Sequence, residues 1–480
     1  MKQRRIAFVF AVIFLVGILA GCSSQPTTTA TTTAAATAAV TTAAPTTAAA
    51  GGTAATTAAT VTEAANTPAS KFTTDKIELK QWTLLNPEDK TGRGLALQML
   101  IDQYQTEYPN AKIITEPQIW TDLQAKQSAA HFAGNAPDIM WNNADNLAGM
   151  IAIGAYEPFE NLFMDEWTPE QHAFIEDPIW GSGTSDGKHY FVDISRPPMV
   201  FMYREDLFKK YNIPTVFESW EDFAVEMQKF NGVVEDGVEM YGFGVVYSSK
   251  SASNTPLTAA LFTQPGGPVH EDGRANFVTP EGIKMLELQK KFIDEYKITP
   301  EYALSTDVED VYNAFSAGQY AAILGTPPRT PGTRANAVYD PLYLQIMSPP
   351  KTDGQWSKFA AAGWGLGVWS GSKYKYEAGK FVELFTGAEA DWLFTEVGGQ
   401  VGLRDQTYVD HPEFFEKPES TYIMDIKKTL DNQMVPLPAT PIVGMREVLC
   451  EAMQDFYLGG MTAEQALQNA EKKFNELNVR

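Results

Sequence analysis

The chain has 480 residues, and its 37 Lys and Arg stand against 59 Asp and Glu, a formal net charge of -22 at pH 7. That excess of acid excludes general nucleic-acid binding, which needs a basic footprint. The two cysteines, Cys22 and Cys450, exclude a disulfide framework, and the length allows two or three domains with sizeable cores.

Met1 to Arg5 is basic, Ile6 to Ala20 is apolar, and Gly21-Cys22 follows. This pattern predicts a signal peptide over 1–21, too short for a comfortable membrane span. Leu19-Ala20-Gly21-Cys22 resembles the bacterial lipobox, in which the chain is cut before the cysteine and that cysteine takes lipid. Lipid on Cys22 would tether the protein to the outer face of a membrane. The Thr- and Ala-rich stretch that completes 22–72 has almost no charge and no aromatic ring until Phe72, nothing with which to offset chain entropy, and reads as a stalk.

Order is expected from about Asp75. Lys76 to Trp82 alternates polar and apolar residues and predicts a strand. Leu97, Leu100, Ile101, Tyr104 and Tyr108 recur at helical spacing, and Lys112-Ile113-Ile114 is the next strand. A helix over Asp122 to Phe132 ends at Gly134, Asn135-Ala136-Pro137 cannot continue it, and Asp138 to Trp141 is strand-like. Such alternation implies a parallel or mostly parallel sheet covered by helices. In an open α/β sheet ligands collect beyond the carboxyl ends of strands, so the turn would deliver Trp141, Asn142, Asn143 and Asp145 to a site.

Further on, Met199 to Tyr203 reads as a buried strand set off by the stiff pair Pro197-Pro198, and Ser219-x-x-Asp222 as a helix start. Helices are expected over Pro280 to Tyr296 and Asp307 to Phe315, then a strand over Tyr320 to Leu324. Phe359 to Trp369 is a Gly-rich apolar strand permitting close backbone approach. An amphipathic helix over Thr462 to Leu477 closes the chain.

Several stretches in this order resemble one family. They are the lipobox at Cys22, Ala133 to Ile139, Gly187 to Phe191, Met202 to Phe208 with Ser219 to Phe223, Phe315 to Ala322, Gly363 to Val368, and Met461 to Leu467. Together they resemble the extracellular solute-binding lipoproteins (family 1, sugar type) of bacterial ABC importers. The resemblance implies an α/β, two-lobed periplasmic-binding-protein-like fold of type II. Its sheets would be mixed but mostly parallel, with a cleft between lobes joined by hinge crossings. Lobe one would hold 75–192 and 360–405, and lobe two 193–359 and 406–480. The implied function is a membrane-anchored receptor that binds a mono- or oligosaccharide and delivers it to the transmembrane subunits of an ABC permease, as a monomer and without cofactor or metal.

Sugars offer C–H faces to aromatic rings and hydroxyls to donors and acceptors. The candidate ligand residues are therefore Trp82, Asn86, Trp120, Trp141, Asn142, Asp145, Asp193 and Trp364. Each indole has two readings, core or ligand platform, and Asp193 is either a ligand acceptor or a hinge hydrogen bond. Beyond Leu324-Gly325-Thr326, maltose-binding relatives carry aromatics where this chain has Pro327-Pro328-Arg329-Thr330. Arg329 joins the candidates there, with Arg334 as a second guanidinium or a surface ion pair, which suits a charged or smaller sugar.

Two rival classes remain open: a secreted carbohydrate-active enzyme, and a binding protein for a peptide or polyamine. His-Glu-x-x-His is absent from the sequence, the five histidines lack ligand spacing, and Cys450 sits in an apolar helical run.

Overall fold

The computed structural model describes residues 71–174, 177–181, 183–360, 363–435 and 442–478. The expected signal peptide at 1–21, Cys22 and most of the expected stalk lie outside the described residues. The fold begins earlier than Asp75. Phe72 stacks on Tyr108 with ring centroids 4.3 Å apart, and the Thr73 N–H donates to Glu377 Oε1 at 2.8 Å. One aromatic ring at the end of a polar stretch is enough to dock it.

The strands that build the two main sheets are, in chain order, β1 (Ile77–Thr83), β2 (Ala111–Pro117), β3 (Ile139–Asn143), β4 (Val192–Ser195), β5 (Val200–Arg204), β6 (Tyr241–Gly244), β7 (Tyr320–Gly325), β8 (Leu344–Met347) and β9 (Trp364–Val368). The sheet of lobe one has the order β2-β1-β3-β9-β4, with β1 parallel to both its neighbours and β9 antiparallel to β3 and β4. The sheet of lobe two runs β6-β7-β5-β8, with β6 parallel to β7 and β5 antiparallel to β7 and β8.

Both faces of each sheet are covered, so neighbouring strand residues enter different cores. In β5, Phe201 and Tyr203 join one cluster with Trp220, Phe243 and the C-terminal helices, while Val200 and Met202 join another with Ile323 and Tyr422. In β3, Ile139 and Trp141 face the helices after β9, and Met140 faces Tyr156 and Phe191. Local signals agree with this packing. Gly134 takes φ +70 and ends the helix Leu123–Phe132, Ser219 Oγ accepts from Asp222 N, and Thr462 with Gln465 forms a reciprocal cap for the helix Ala463–Asn478.

The chain passes from sheet one to sheet two through Arg196-Pro197-Pro198-Met199, and returns between β8 and β9. At these crossings strands lie against one another with no room for side chains. A Cβ at Gly363 would sit 1.7 Å from the Ser195 carbonyl oxygen, and one at Gly365 2.1 Å from that of Val192.

Candidate functional site

The two lobes enclose a cleft made of two connected cavities. One, of about 240 Å³, lies beside the helix Met445–Leu458 and is lined by Trp120, Gln124 and Asp145 from lobe one and by Asn254, Met445 and Arg446 from lobe two. The other, of about 140 Å³, lies beside Pro197 and is lined by Arg93, Asn143 and Trp364 facing Asn254, Tyr312 and Arg329. Trp120, Asn143, Asn254, Ala360 and Arg446 border both.

Strand ends position these groups. Trp120 follows β2 and Asn143 ends β3. Because β9 is antiparallel to β3, its first residue, Trp364, is the register partner of Asn143 and comes out on the same edge. Across the cleft, Arg329 lies just beyond β7, stacked over the Tyr312 ring at 5.4 Å and paired with Glu309. Asn143 Oδ1 accepts from Asp145 N at 3.0 Å, turning the chain so that Asp145 meets Arg446 at 2.8 Å across the lobes.

Of the residues expected at the ligand, Trp120, Asp145, Arg329 and Trp364 line the cleft, and Trp82, Asn86, Trp141, Asn142 and Asp193 do not. The indole nitrogens separate the two groups. Trp82 donates to Glu116 Oε2 at 2.7 Å, and Trp141, fully buried, donates to Gln81 Oε1 at 2.9 Å. The N–H groups of Trp120 and Trp364 have no partner among the described residues, and both rings are half-buried. Asn142 is also internal, donating to Gln127 Oε1, and Asn86 is held by Asp89 in its own loop. These are corrections: Trp141 and Asn142 lie in a sheet covered on both faces, where strand residues face a core whatever their polarity, and the Asn86 side chain is engaged within its own turn. Arg334 is neither ligand nor surface ion pair, because its guanidinium donates to the carbonyls of Glu419 and Leu344 inside lobe two.

Asp193 is buried under Gly181, with Oδ1 unpartnered among the described residues. Burial pushes its carboxyl up to about 7, against a smaller opposing pull from Arg196. The folded chain therefore holds this proton more tightly than the unfolded one. Its contribution to stability is complete below the ordinary carboxylate range and is lost as pH rises through about 7. In urea titrations at pH 5 and pH 8, Asp193→Asn is expected to gain on the parent chain by a few kcal/mol at the higher pH. Parallel pH slopes for the two proteins would mean that the carboxyl is already ionised and compensated.

Among the lining residues not foreseen are Arg93, Asn254, Tyr312 and Arg446. Two of them carried a readable signal. Arg93 and Arg446 stand in the first turns of the helices Gly92–Glu107 and Met445–Leu458, where the helix dipole disfavours a cation, so each points to some other use for the charge. Burial and then the charge of Arg329 lower Arg93 to about 10, leaving it protonated at neutral pH. Among the described residues there is no cluster of His, Cys, Asp and Glu able to hold a metal, and no helix long and apolar enough to cross a membrane.

A family model described as bacterial extracellular solute-binding protein matches residues 87–392. Among solved structures, the chain is similar to the GacH receptor of Streptomyces glaucescens, determined unliganded and with acarbose, at 20% identity over 83% of this chain and 98% of that one, with a TM-score of 0.69. Similar too are T. maritima MalE3 bound to maltose (18%, 83% and 99%, TM-score 0.70) and an ABC substrate-binding protein of Listeria monocytogenes in complex with cycloalternan (19%, 84% and 99%, TM-score 0.68). At these identities the likeness shows the two-lobed fold.

Proposed function

The chain belongs to the bacterial extracellular solute-binding protein family, and from that premise we propose that it captures a saccharide between its lobes and hands it to an ABC permease. The observation that carries this reading is the pair of half-buried indoles, Trp120 and Trp364, whose N–H groups are uncommitted and which share a cleft with Asn143 and Asn254. Rings take the C–H faces of a sugar, and amides serve its hydroxyls as both donors and acceptors. The relatives solved with acarbose, maltose and cycloalternan support the same class of solute.

A solute that touches both lobes binds the closed form more tightly, so it shifts the population towards closure, and the permease reads the closed form. The lobe built on the first sheet would then swing against the lobe built on the second about the Pro197-Pro198 crossing. Lipid on Cys22 and the stretch after it would keep the receptor, a monomer, on the outer face of the membrane.

Tryptophan fluorescence and thermal melting against a panel of neutral mono- and oligosaccharides and their acidic counterparts tests the proposal. A solute at a hundred times its dissociation constant is expected to stabilise the protein by about 2.7 kcal/mol and to be recovered unchanged. Turnover of a sugar, or a response to peptides or polyamines alone, overturns it.

A further inference from the structure

Resting on the saccharide reading, we propose that the solute is anionic, its negative group seated between Arg93 of lobe one and Arg329 of lobe two. The cavity beside Pro197 is lined by three guanidinium groups, Arg93, Arg329 and Arg446, and by no carboxylate. This is the reverse of the chain as a whole, whose net charge is -22. Two of the three charges are answered from outside that lining, Arg446 by Asp145 and Arg329 by Glu309.

Arg93 has no hydrogen-bond or ion-pair partner among the described residues. Its surroundings add to the unanswered charge. The helix Gly92–Glu107 has no acidic residue in its first turn, and its N-cap, Thr91, makes no side-chain cap, so the positive end of the dipole is uncompensated. Arg329 faces it from the other lobe, and the two repel, against smaller pulls from Tyr312 and Glu309. A half-buried, unpaired guanidinium is costly, and a second one opposite increases the cost as the lobes approach. An anion between them removes both penalties and makes charge-assisted, bidentate bonds to two planar donors. Trp364 borders the same space, so a sugar ring carrying the anion can lie on the indole.

Repulsion between Arg93 and Arg329 also opposes closure around a neutral sugar, which gives discrimination as well as affinity. A carboxylate, as in a hexuronate, and a phosphate, as in a sugar phosphate, satisfy this site by the same chemistry.

The test is calorimetric titration of the full chain with galacturonate, glucuronate and their short oligomers, with the neutral sugars of the same frames, and with hexose 6-phosphates. The anionic member of a pair is expected to bind at least 100-fold more tightly than the neutral one, more weakly as salt rises. R93Q is expected to erase most of that ratio without lowering the melting temperature, since it removes a like-charge contact, and R93K to restore part of it. Preference for uronate or for phosphate identifies the anion, and either supports the proposal. Equal binding of neutral and anionic partners by the parent chain overturns the proposal and leaves the saccharide reading standing. Absence of binding to every saccharide overturns both. If R93Q keeps the full ratio, the anion does not sit at Arg93, and the assignment fails.

Discussion

Trp364→Ala is expected to weaken saccharide binding ~10- to 100-fold and to leave the melting temperature nearly unchanged. The ring is half-buried at the very start of β9 and borders the cavity that also holds Arg93, Tyr312 and Arg329. Removing it takes away a flat apolar face and an uncommitted N–H together, while the interior of β9, from Gly365 to Val368, stays packed. Trp364→Phe keeps the face and loses the donor, so it should fall between the two. Trp82→Ala serves as the control. Its N–H is engaged by Glu116, its ring packs on the far side of sheet one, and its affinity should match that of the parent chain. Calorimetry on the three variants separates these cases. If Trp82→Ala loses affinity and Trp364→Ala does not, the cleft is not the binding site.

The elements were legible because their causes are local. Alternation made β1 visible, Gly134 with Pro137 marked a helix end, and Ser219 with Asp222 marked a helix start. Even the glycines of β9 announced close backbone approach, which the carbonyls of Ser195 and Val192 now explain. The site was half legible. Strand ends pointed to Trp120, Asp145 and Trp364, which line the cleft, but the same rule also nominated Trp141 and Asn142. What separates these residues is a partner distant in the chain, Gln81 for one and Gln127 for the other. No spacing within a short window encodes that.

The opposing wall of the cleft was harder to foresee, because it is assembled from remote loops. Asn254, Tyr312 and Arg446 come from three separate segments of lobe two and meet only when its sheet and C-terminal helices are packed. The Asp145–Arg446 pair then spans the lobes at 2.8 Å. Because it joins the two halves of the cleft, it contributes to closure without touching the sheets, and it balances the one carboxylate that β3 delivers to the opening.

Trp141→Ala is expected to destabilise the protein by about 3–5 kcal/mol. The indole is fully buried in lobe one, edge-on to Phe385 with centroids 5.6 Å apart. Its loss opens a cavity that close-packed neighbours fill only in part. It also strips a donor from Gln81 Oε1, and Gln81 is itself fully buried, with its amide nitrogen committed to Thr115 Oγ1 at 2.6 Å. That carbonyl would be left without a partner in a site water cannot reach, a cost added to the cavity. Trp141→Phe retains most of the volume but orphans the same oxygen, so it should lie between the two. Urea unfolding gives the stability, and a saccharide titration on the folded variant gives the affinity. A lower midpoint with unchanged affinity is the expected pair of results. An unchanged midpoint with lost affinity would put this ring on the ligand and move the site to the inner pleat of sheet one.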